Sequence, residues 1–396
     1  MHTKISGRNI YKIFGGNPAE ALALLKSGKT KDEIFAATGQ TVGVHDVSFS
    51  VAEGEIFVVM GLSGSGKSTL VRMINGLIRP SAGEILIDGI DVAACSGEAL
   101  RRVRREKVAM VFQHFALFPH KTVAQNVSFG LKIRGVGKAE RRARAHAALE
   151  QVGLAARADS YPDELSGGMQ QRVGLARGLA SGPEILLMDE PFSALDPLIR
   201  GDMQQELLEL QRRLKKTIVF ITHDLTEALT LGNTIAIMRN GAMVQTGTAQ
   251  EIVGAPADDY VAAFTRDIDR SLVFTAASVA EAPEALDIGA VDAEGALARM
   301  EALGLDAIHV VEDGRLAGIL TWRAAHAALR AGAPLGEAVL RDVPAAPPQA
   351  RLFDLYPLAS AGLPIALGDG KGGLAGVVRP QAVFARLSRK DAREKV

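Results

Sequence analysis

The chain has 396 residues, 47% of them apolar, and its 45 Lys plus Arg balance 45 Asp plus Glu. That composition supports two or three cored domains and excludes a disordered chain, while a net charge of zero removes the electrostatic footprint of a nucleic-acid binder. The single cysteine, Cys95, excludes an intrachain disulfide and a cysteine-built metal site and fits a reducing compartment.

The opening MHTKISGRNIYKIFGG lacks the apolar core of a signal peptide, and no apolar run is long enough to cross a bilayer. A membrane role is therefore expected to pass through a partner. NIYKIF reads as a strand. NPAEALALLKSGKTKDEIFAATG, about residues 17–40, has helical spacing and reads as an inserted helical pair; VHDVSFSVAEGE then alternates with period two and ends in a turn. EIFVVM, Glu55–Met60, is the apolar run expected of a strand buried on both faces of a mostly parallel sheet, and STLVRMINGL after it reads as a helix. Residues from about 101 to 165, rich in Ala, Arg and Glu, read as a helical subdomain. EILLMDEP, TIVFITHD and TIAIMRNG add three apolar strands, separated by the helical LIRGDMQQELLELQRRLKK and LTEALTLG. This alternation predicts an α/β core with right-handed crossovers.

Near residue 268 the text becomes Ala- and Gly-rich and carries a weak repeat. AIHVVEDGRLAGILT, Ala307–Thr321, returns as PIALGDGKGGLAGVV, Pro364–Val378, each preceded by a helical stretch, ALARMEALG or LFDLYPLASAG. Units this small bury little surface alone, so they are expected to pack as a pair, broken at VPAAPP, Val343–Pro348.

GLSGSGKST, Gly61–Thr69, is a full P-loop between a buried strand and a helix. The nucleotide-binding set is Gly61, Ser63, Gly64, Ser65, Gly66, Lys67, Ser68 and Thr69. Tight turning at Gly64–Gly66 aims amides at the β-phosphate, Lys67 bridges β- and γ-oxygens, and the Ser68 hydroxyl holds Mg²⁺. Asp189 ends ILLMD at the strand edge where parallel sheets bind ligands, and reaches Mg²⁺ through water. Glu190, directly after it, can orient and deprotonate an attacking water. His223 follows IVFIT and brings a neutral donor and acceptor to the same edge, for the γ-phosphate. Singly, each has a structural reading: a chance Gly-rich loop, two solvated carboxylates, a core histidine. Their convergence on one sheet edge favours phosphate chemistry. LSGGMQQR, Leu165–Arg172, is a second anion cradle, with Ser166, Gly167 and Gly168 at a helix start.

With these motifs over roughly Ile10–Thr265 the chain resembles the nucleotide-binding subunit of an ATP-binding cassette (ABC) transporter. The resemblance makes LSGGM the signature motif, with Met169 in the usual glutamine place. It implies a head-to-tail dimer in which Ser166, Gly167 and Gly168 of one copy close over the ATP on the other copy's P-loop. It further implies that Gln113 in VFQHF is the Q-loop residue near Mg²⁺ and γ-phosphate, that Ser193–Asp196 is the D-loop, and that Phe14 in KIFGG stacks on adenine, Tyr11 being the alternative. FALFPH, Phe115–His120, falls where family members meet the permease, or else is ordinary subdomain packing.

No coiled-coil insertion, second cassette or fused membrane helix accompanies the motifs, which favours the importer arrangement with separate permease chains. The inserted helices, the LSGGMQQRVGLARGLA form and the C-terminal repeat together resemble the ATPase subunit of glycine betaine/proline betaine osmoprotectant importers. The expected plan is an ABC domain over residues 1–267, then tandem cystathionine-β-synthase (CBS) domains over about 268–342 and 343–396. The implied cofactors are ATP and Mg²⁺. The implied partners are a second copy, membrane permease subunits and, through them, an extracytoplasmic substrate-binding protein, at the cytoplasmic face of the bacterial inner membrane. The carboxylate of a T-x-x-D ribose site is missing from both repeats, which read TWRA and VRPQ. The repeat pair is instead expected to sense salt through an anionic membrane contact of the basic tail Arg386–Lys395, or to be a structural appendage. The competing readings are an importer ATPase for choline, proline or another amino acid, and a non-transport ABC ATPase using KTKDEIFAATGQ as a DNA-reading helix-turn-helix, a segment that lacks a basic stripe.

Overall fold

The computed structural model describes residues 2–113 and 116–387. The chain divides into two compact units, residues 1–267 and 268–396. His114 and Phe115, which touch the Q-loop and FALFPH readings, and most of the basic tail lie outside the described residues.

The first unit starts with strand β1 (Thr3–Phe14), the inserted helices α1 (Pro18–Lys26) and α2 (Lys31–Thr38), and strand β2 (Thr41–Ala52). Pro18 supplies the first turn of α1, where a missing N–H costs nothing. A reciprocal Thr30–Glu33 capping box starts α2. Their apolar faces close a small core of Ile13, Ala21, Ile34 and Val42. Next come β3 (Ile56–Met60), α3 (Lys67–Ile74), β4 (Ala82–Ile87), β5 (Ile90–Asp91), α4 (Gly97–Glu106) and β6 (Val108–Val111). Helices α5 (Val123–Ile133), α6 (Lys138–Gln151) and α7 (Gly167–Ala180) pack on one another as a helical layer. The chain then alternates through β7 (Ile185–Asp189), α8 (Pro197–Leu214), β8 (Thr217–Thr222), α9 (Leu225–Leu231), β9 (Thr234–Arg239) and β10 (Ala242–Gly247), and ends in α10 (Ala249–Gly254) and α11 (Asp259–Thr265).

Two sheets result. An antiparallel sheet runs β2-β1-β4-β5, and a six-stranded sheet runs β10-β9-β3-β8-β7-β6, parallel except for β10. Every residue of β3, β7 and β8 is buried, as the continuous apolar runs require for a sheet covered on both faces. Phe57, Val59, Leu70, Met73, Ile74, Leu187, Val219 and Ile221 belong to one core, each worth roughly 1.5–3 kcal/mol when buried. This core fixes the strand ends that carry the site.

The structure redraws the helical subdomain predicted from about residue 101. Arg101–Glu106 belong to α4, whose Leu100 and Val103 sit in the central core, and Val108–Val111 form an edge strand of the main sheet. The Arg-rich sequence around them reads as helix because four strand residues are too few to show a period.

In the second unit, β11 (Ala285–Asp287), α12 (Ala293–Leu303), β12 (Ala307–Glu312), β13 (Arg315–Thr321) and α13 (Trp322–Ala331) form one half. β14 (Ala345–Ala346), α14 (Tyr356–Ala359), β15 (Ile365–Gly368), β16 (Leu374–Val378) and α15 (Pro380–Leu387) form the other. Each half is a three-stranded sheet with one parallel and one antiparallel pairing, so the sequence repeat is also a structural one. The halves differ at LFDLYPLASAG, read as one helix: Leu352–Leu355 is a 3₁₀ turn and only Tyr356–Ala359 is α-helical. Pro357, without an N–H, suits only the first turn of such a helix.

Candidate nucleotide-binding and hydrolytic site

Three glycines shape the P-loop. Gly61, Gly64 and Gly66 hold φ of 152°, 78° and 103°, in the region that side chains disfavour. A Cβ on Gly61 would lie 2.2 Å from the Met238 carbonyl oxygen, and one on Gly66 2.7 Å from that of Gly43. The loop is thus pressed against β2 and the β9–β10 turn, where Gly241 N–H donates to the Ser65 carbonyl at 2.9 Å. Lys67 is buried, and its ammonium donates to the Gly61 and Leu62 carbonyls at 2.8 and 3.0 Å. Burial pushes its pKa down, against the attraction of Glu190 and Asp189.

Ser68 Oγ donates to Asp189 Oδ1 at 2.9 Å, joining the first turn of α3 to the end of β7. Asp189 is buried, and burial pushes its carboxyl up, offset in part by the Ser68 hydroxyl and by Arg72. Glu190 takes a left-handed φ of 47°, held by its N–H to the Ile221 carbonyl and by the N–H and hydroxyl of Ser193 on its own carbonyl. This turn aims the carboxylate back over the P-loop. Its Oε1 lies 3.8 Å from Lys67 Nζ, and its Oε2 is 2.9 Å from His223 Nδ1. The pairing of Asp189 with Ile221 brings the two strand exits side by side. The His223 side chain is 55% exposed, free to meet a ligand above the sheet.

The donor set fits both groups the motifs imply. Ser65 Oγ is buried without a hydrogen-bond partner, and the glycine cradle exposes amides to an anion beside a buried ammonium. A hydroxyl and a carboxylate supply hard oxygens, and among the described residues no cluster of three His, Cys, Asp or Glu could cage a metal alone. Such a site suits Mg²⁺, which keeps waters and takes further ligands from substrate phosphates.

Phe14, 41% exposed, ends β1 with its ring against Gly43, where a Cβ would lie 2.7 Å from Phe14 Cε2. Gly43 in turn lines Gly66, so the ring stands beside the P-loop, with Lys12 Nζ 5.1 Å from its centroid. Tyr11 instead faces Asp46. Gln113 is exposed and leaves the sheet at the edge that carries Asp189, because β6 runs parallel to β7 with Val111 opposite Met188. Ser166 is the N-cap of α7: its hydroxyl accepts the Met169 N–H at 3.4 Å. Ser166 and Gly167 are exposed, whereas Gly168 is buried with Ile199 Cγ2 against the place of its missing Cβ. Among the described residues no hydrogen bond or ion pair joins this helix start to Gly61–Thr69.

The ABC transporter family model matches residues 44–193. The glycine betaine/carnitine transport ATP-binding protein GbuA of Listeria monocytogenes is 48% identical over 392 residues, 98% of either chain. OpuAA, the glycine betaine transport ATP-binding protein of Bacillus subtilis, is 47% identical over 97% of this chain and 92% of its own. The chain belongs to the ATP-binding subunits of ABC transporters. ProV of Escherichia coli, from a glycine betaine/proline betaine transport system, is 57% identical over 71% of this chain and 70% of its own. Among solved structures, the dimeric post-hydrolysis cassette MJ0796 bound to ADP and Pi is 33% identical, with a TM-score of 0.51 over 62% of this chain and 98% of that one. Cassettes of this family bind ATP with Mg²⁺, hydrolyse it to drive transport, and work as dimers with membrane permease subunits. No helix among the described residues of this cassette is long and apolar enough to cross a membrane.

Sequence reading missed the supports of the cassette's P-loop. Gly43 and Gly241 carry no reactive group, and a Cβ on Gly241 would lie 2.5 Å from the Gly43 carbonyl oxygen. The Asn240–Gly241 pair after TIAIMR is a turn signal that could have placed one of them.

Proposed function

We propose that this chain is the ATP-hydrolysing subunit that powers import of glycine betaine, proline betaine or a related quaternary ammonium osmoprotectant through a separate permease. It would act at the cytoplasmic face of the bacterial inner membrane. The observation that carries the hydrolytic half is the Lys67–Glu190–His223 constellation over the P-loop, with 3.8 and 2.9 Å separations. The substrate half rests on near-full-length similarity to GbuA and OpuAA, whose names state betaine transport.

In this reading Gly61, Ser63, Gly64, Ser65, Gly66, Lys67, Ser68 and Thr69 hold the phosphates and Phe14 stacks on the adenine. Ser68, Asp189 and Gln113 would hold Mg²⁺, which neutralises charge on the phosphate oxygens when bound. Glu190 takes a proton from the attacking water, and His223, positioned through Nδ1, offers Nε2 to the γ-phosphate. Ser166, Gly167 and Gly168 serve the nucleotide of a second copy, where the dipole of α7 favours negative charge. Met169 removes a polar side chain there and leaves the backbone donors intact. Residues 268–396, as a tandem CBS unit, would regulate transport.

The test is uptake by vesicles containing the whole complex of this chain, its permease and its receptor. ATP-dependent betaine uptake that fails with Glu190→Gln supports the reading. Uptake of choline or proline but not betaine would overturn the substrate, and hydrolysis without any permease association would overturn the transport role.

A further inference from the structure

Behind His223 lies a polar network that the hydrolytic roles above leave unused. Arg200 projects from α8 with 27% of its side chain exposed and touches two elements at once. Its Nη2 donates to the Leu195 carbonyl at 3.1 Å, inside the Ser193–Asp196 loop, and its Nη1 donates to Asp224 Oδ2 at 3.3 Å, next in sequence to His223. Its Nε is buried without a hydrogen-bond partner and faces Glu227 Oε1 at 3.9 Å, an ion pair too long for a hydrogen bond. Glu227 is itself buried; its Oε2 accepts the Thr222 hydroxyl at 2.6 Å, and Thr222 Oγ1 accepts the Asp224 N–H at 2.9 Å. The network therefore holds both sequence neighbours of His223.

Capping of α9 does not explain this arrangement. Asp224 Oδ1 alone accepts the N–H groups of Thr226 and Glu227, which completes the cap without any arginine. A buried carboxylate whose charge partner stands 3.9 Å away is a poor source of stability, because apolar residues of similar volume often serve a fold as well or better. Burial pushes the Glu227 carboxyl up, and the Thr222 hydroxyl and Arg200 only partly oppose this. The geometry suits transmission of position. Guanidinium is a rigid planar fork, so a displacement of the Leu195 carbonyl must break the Nη2 bond, break the Nη1 bond, or carry Asp224 with it.

We propose that Arg200 and Glu227 are positioning residues that tie the placement of His223 to that of the Ser193–Asp196 loop, so that the imidazole reaches the γ-phosphate only when a second copy engages that loop. The proposal rests on the two-copy hydrolysis reading above.

The test uses the full chain assembled with its permease and measures ATP turnover for Arg200→Lys, Arg200→Met, Glu227→Gln, His223→Ala and the double variant Arg200→Met/His223→Ala. Arg200→Lys keeps the charge and loses the fork. The expected result is a fall in kcat of about tenfold or more in each Arg200 and Glu227 variant, with KM for ATP within about threefold. The melting temperature should change little in Arg200→Lys and Glu227→Gln, whereas Arg200→Met, which leaves the buried Glu227 carboxylate without its cation, should melt lower. Because the relay acts through His223, the double variant should turn over within about twofold of His223→Ala alone in single-turnover assays. Wild-type kcat in Arg200→Lys, a change in KM alone, or a full further loss in the double variant would overturn the relay. Should Arg200→Met fail to fold, Arg200→Lys combined with His223→Ala makes the same comparison. Normal turnover by His223→Ala would instead overturn the role given to His223 itself, a separately readable failure.

Discussion

Replacing Glu190 by Gln separates binding from chemistry in this site. The substitution keeps the volume and one oxygen acceptor, so the 2.9 Å contact with His223 Nδ1 and the left-handed turn held by Ile221 and Ser193 can persist. What is lost, in the proposed mechanism, is the base, and general-base catalysis is worth roughly 10²–10⁴ in rate, or about 3–5 kcal/mol of barrier. Affinity should not fall with it. At 3.8 Å from Lys67 Nζ, the Glu190 carboxylate attracts that ammonium by about 4 kcal/mol gross at an effective dielectric near 20, an attraction that competes with an incoming phosphate. Glutamine frees the ammonium for the nucleotide. Single-turnover hydrolysis should thus drop at least about a hundredfold, while ATP-induced dimerisation, followed by size exclusion, stays at wild-type ATP concentrations or lower. Hydrolysis within tenfold of wild type would refute Glu190 as the base, and loss of dimerisation would refute the charge argument.

Gly168→Ala should destabilise the first unit, since the added Cβ would lie 2.6 Å from Ile199 Cγ2 and overpacking costs about 1–3 kcal/mol. A melting temperature lowered by a few degrees, and recovered in the double variant with Ile199→Ala, is the expected outcome; no shift would mean that α7 and α8 move apart freely. In the second unit His309 is buried, its pKa pushed down to about 4 by that burial against a hydrogen bond to the Pro364 carbonyl, with Glu284 and Arg379 lining the adjoining small cavity. A histidine depressed in the fold and titrating near 6.5 when unfolded gives stability that is complete above pH 6.5 and is lost towards pH 4, up to about 3 kcal/mol. Urea unfolding across that window should show the slope, and His309→Gln should flatten it; an unchanged slope in the variant refutes the assignment.

Legibility in the sequence followed the chemistry of each segment. The long apolar runs of β3, β7 and β8 announce strands buried on both faces, and the glycines and lysine of the P-loop are tied to one backbone geometry, so that half of the site is readable from spacing alone. The edge strands β6 and β10 are not, because Val108–Val111 lies among charged residues and Ala242–Gly247 is only partly buried. Glu190 was legible as a carboxylate at a strand end, but not its left-handed backbone, which is what turns it towards Lys67 and His223. Arg200 and Glu227 read as ordinary charges of the two helical stretches LIRGDMQQELLELQRRLKK and LTEALTLG. Only the packing of α8 beside α9 places them together behind His223.

The site is assembled at some cost to the fold. Burial disfavours the charged form of Lys67 from one side and of Asp189 from the other, so at neutral pH each charge opposes folding rather than aiding it. Their mutual attraction offsets this only in part, and neither bonds the other directly: the Lys67 ammonium donates to the Gly61 and Leu62 carbonyls, and Asp189 accepts from the Ser68 hydroxyl. In the proposed roles, a direct Lys67–Asp189 bond would occupy the acceptor meant for a cation and the donor meant for a phosphate. Keeping them apart leaves one buried donor and one buried acceptor facing a ligand that carries both charges, and the metal–nucleotide pair is such a ligand. In the proposed roles its binding would relieve both desolvation costs together, would couple the affinity for nucleotide to that for Mg²⁺, and would make the cassette's stability follow occupancy of the site.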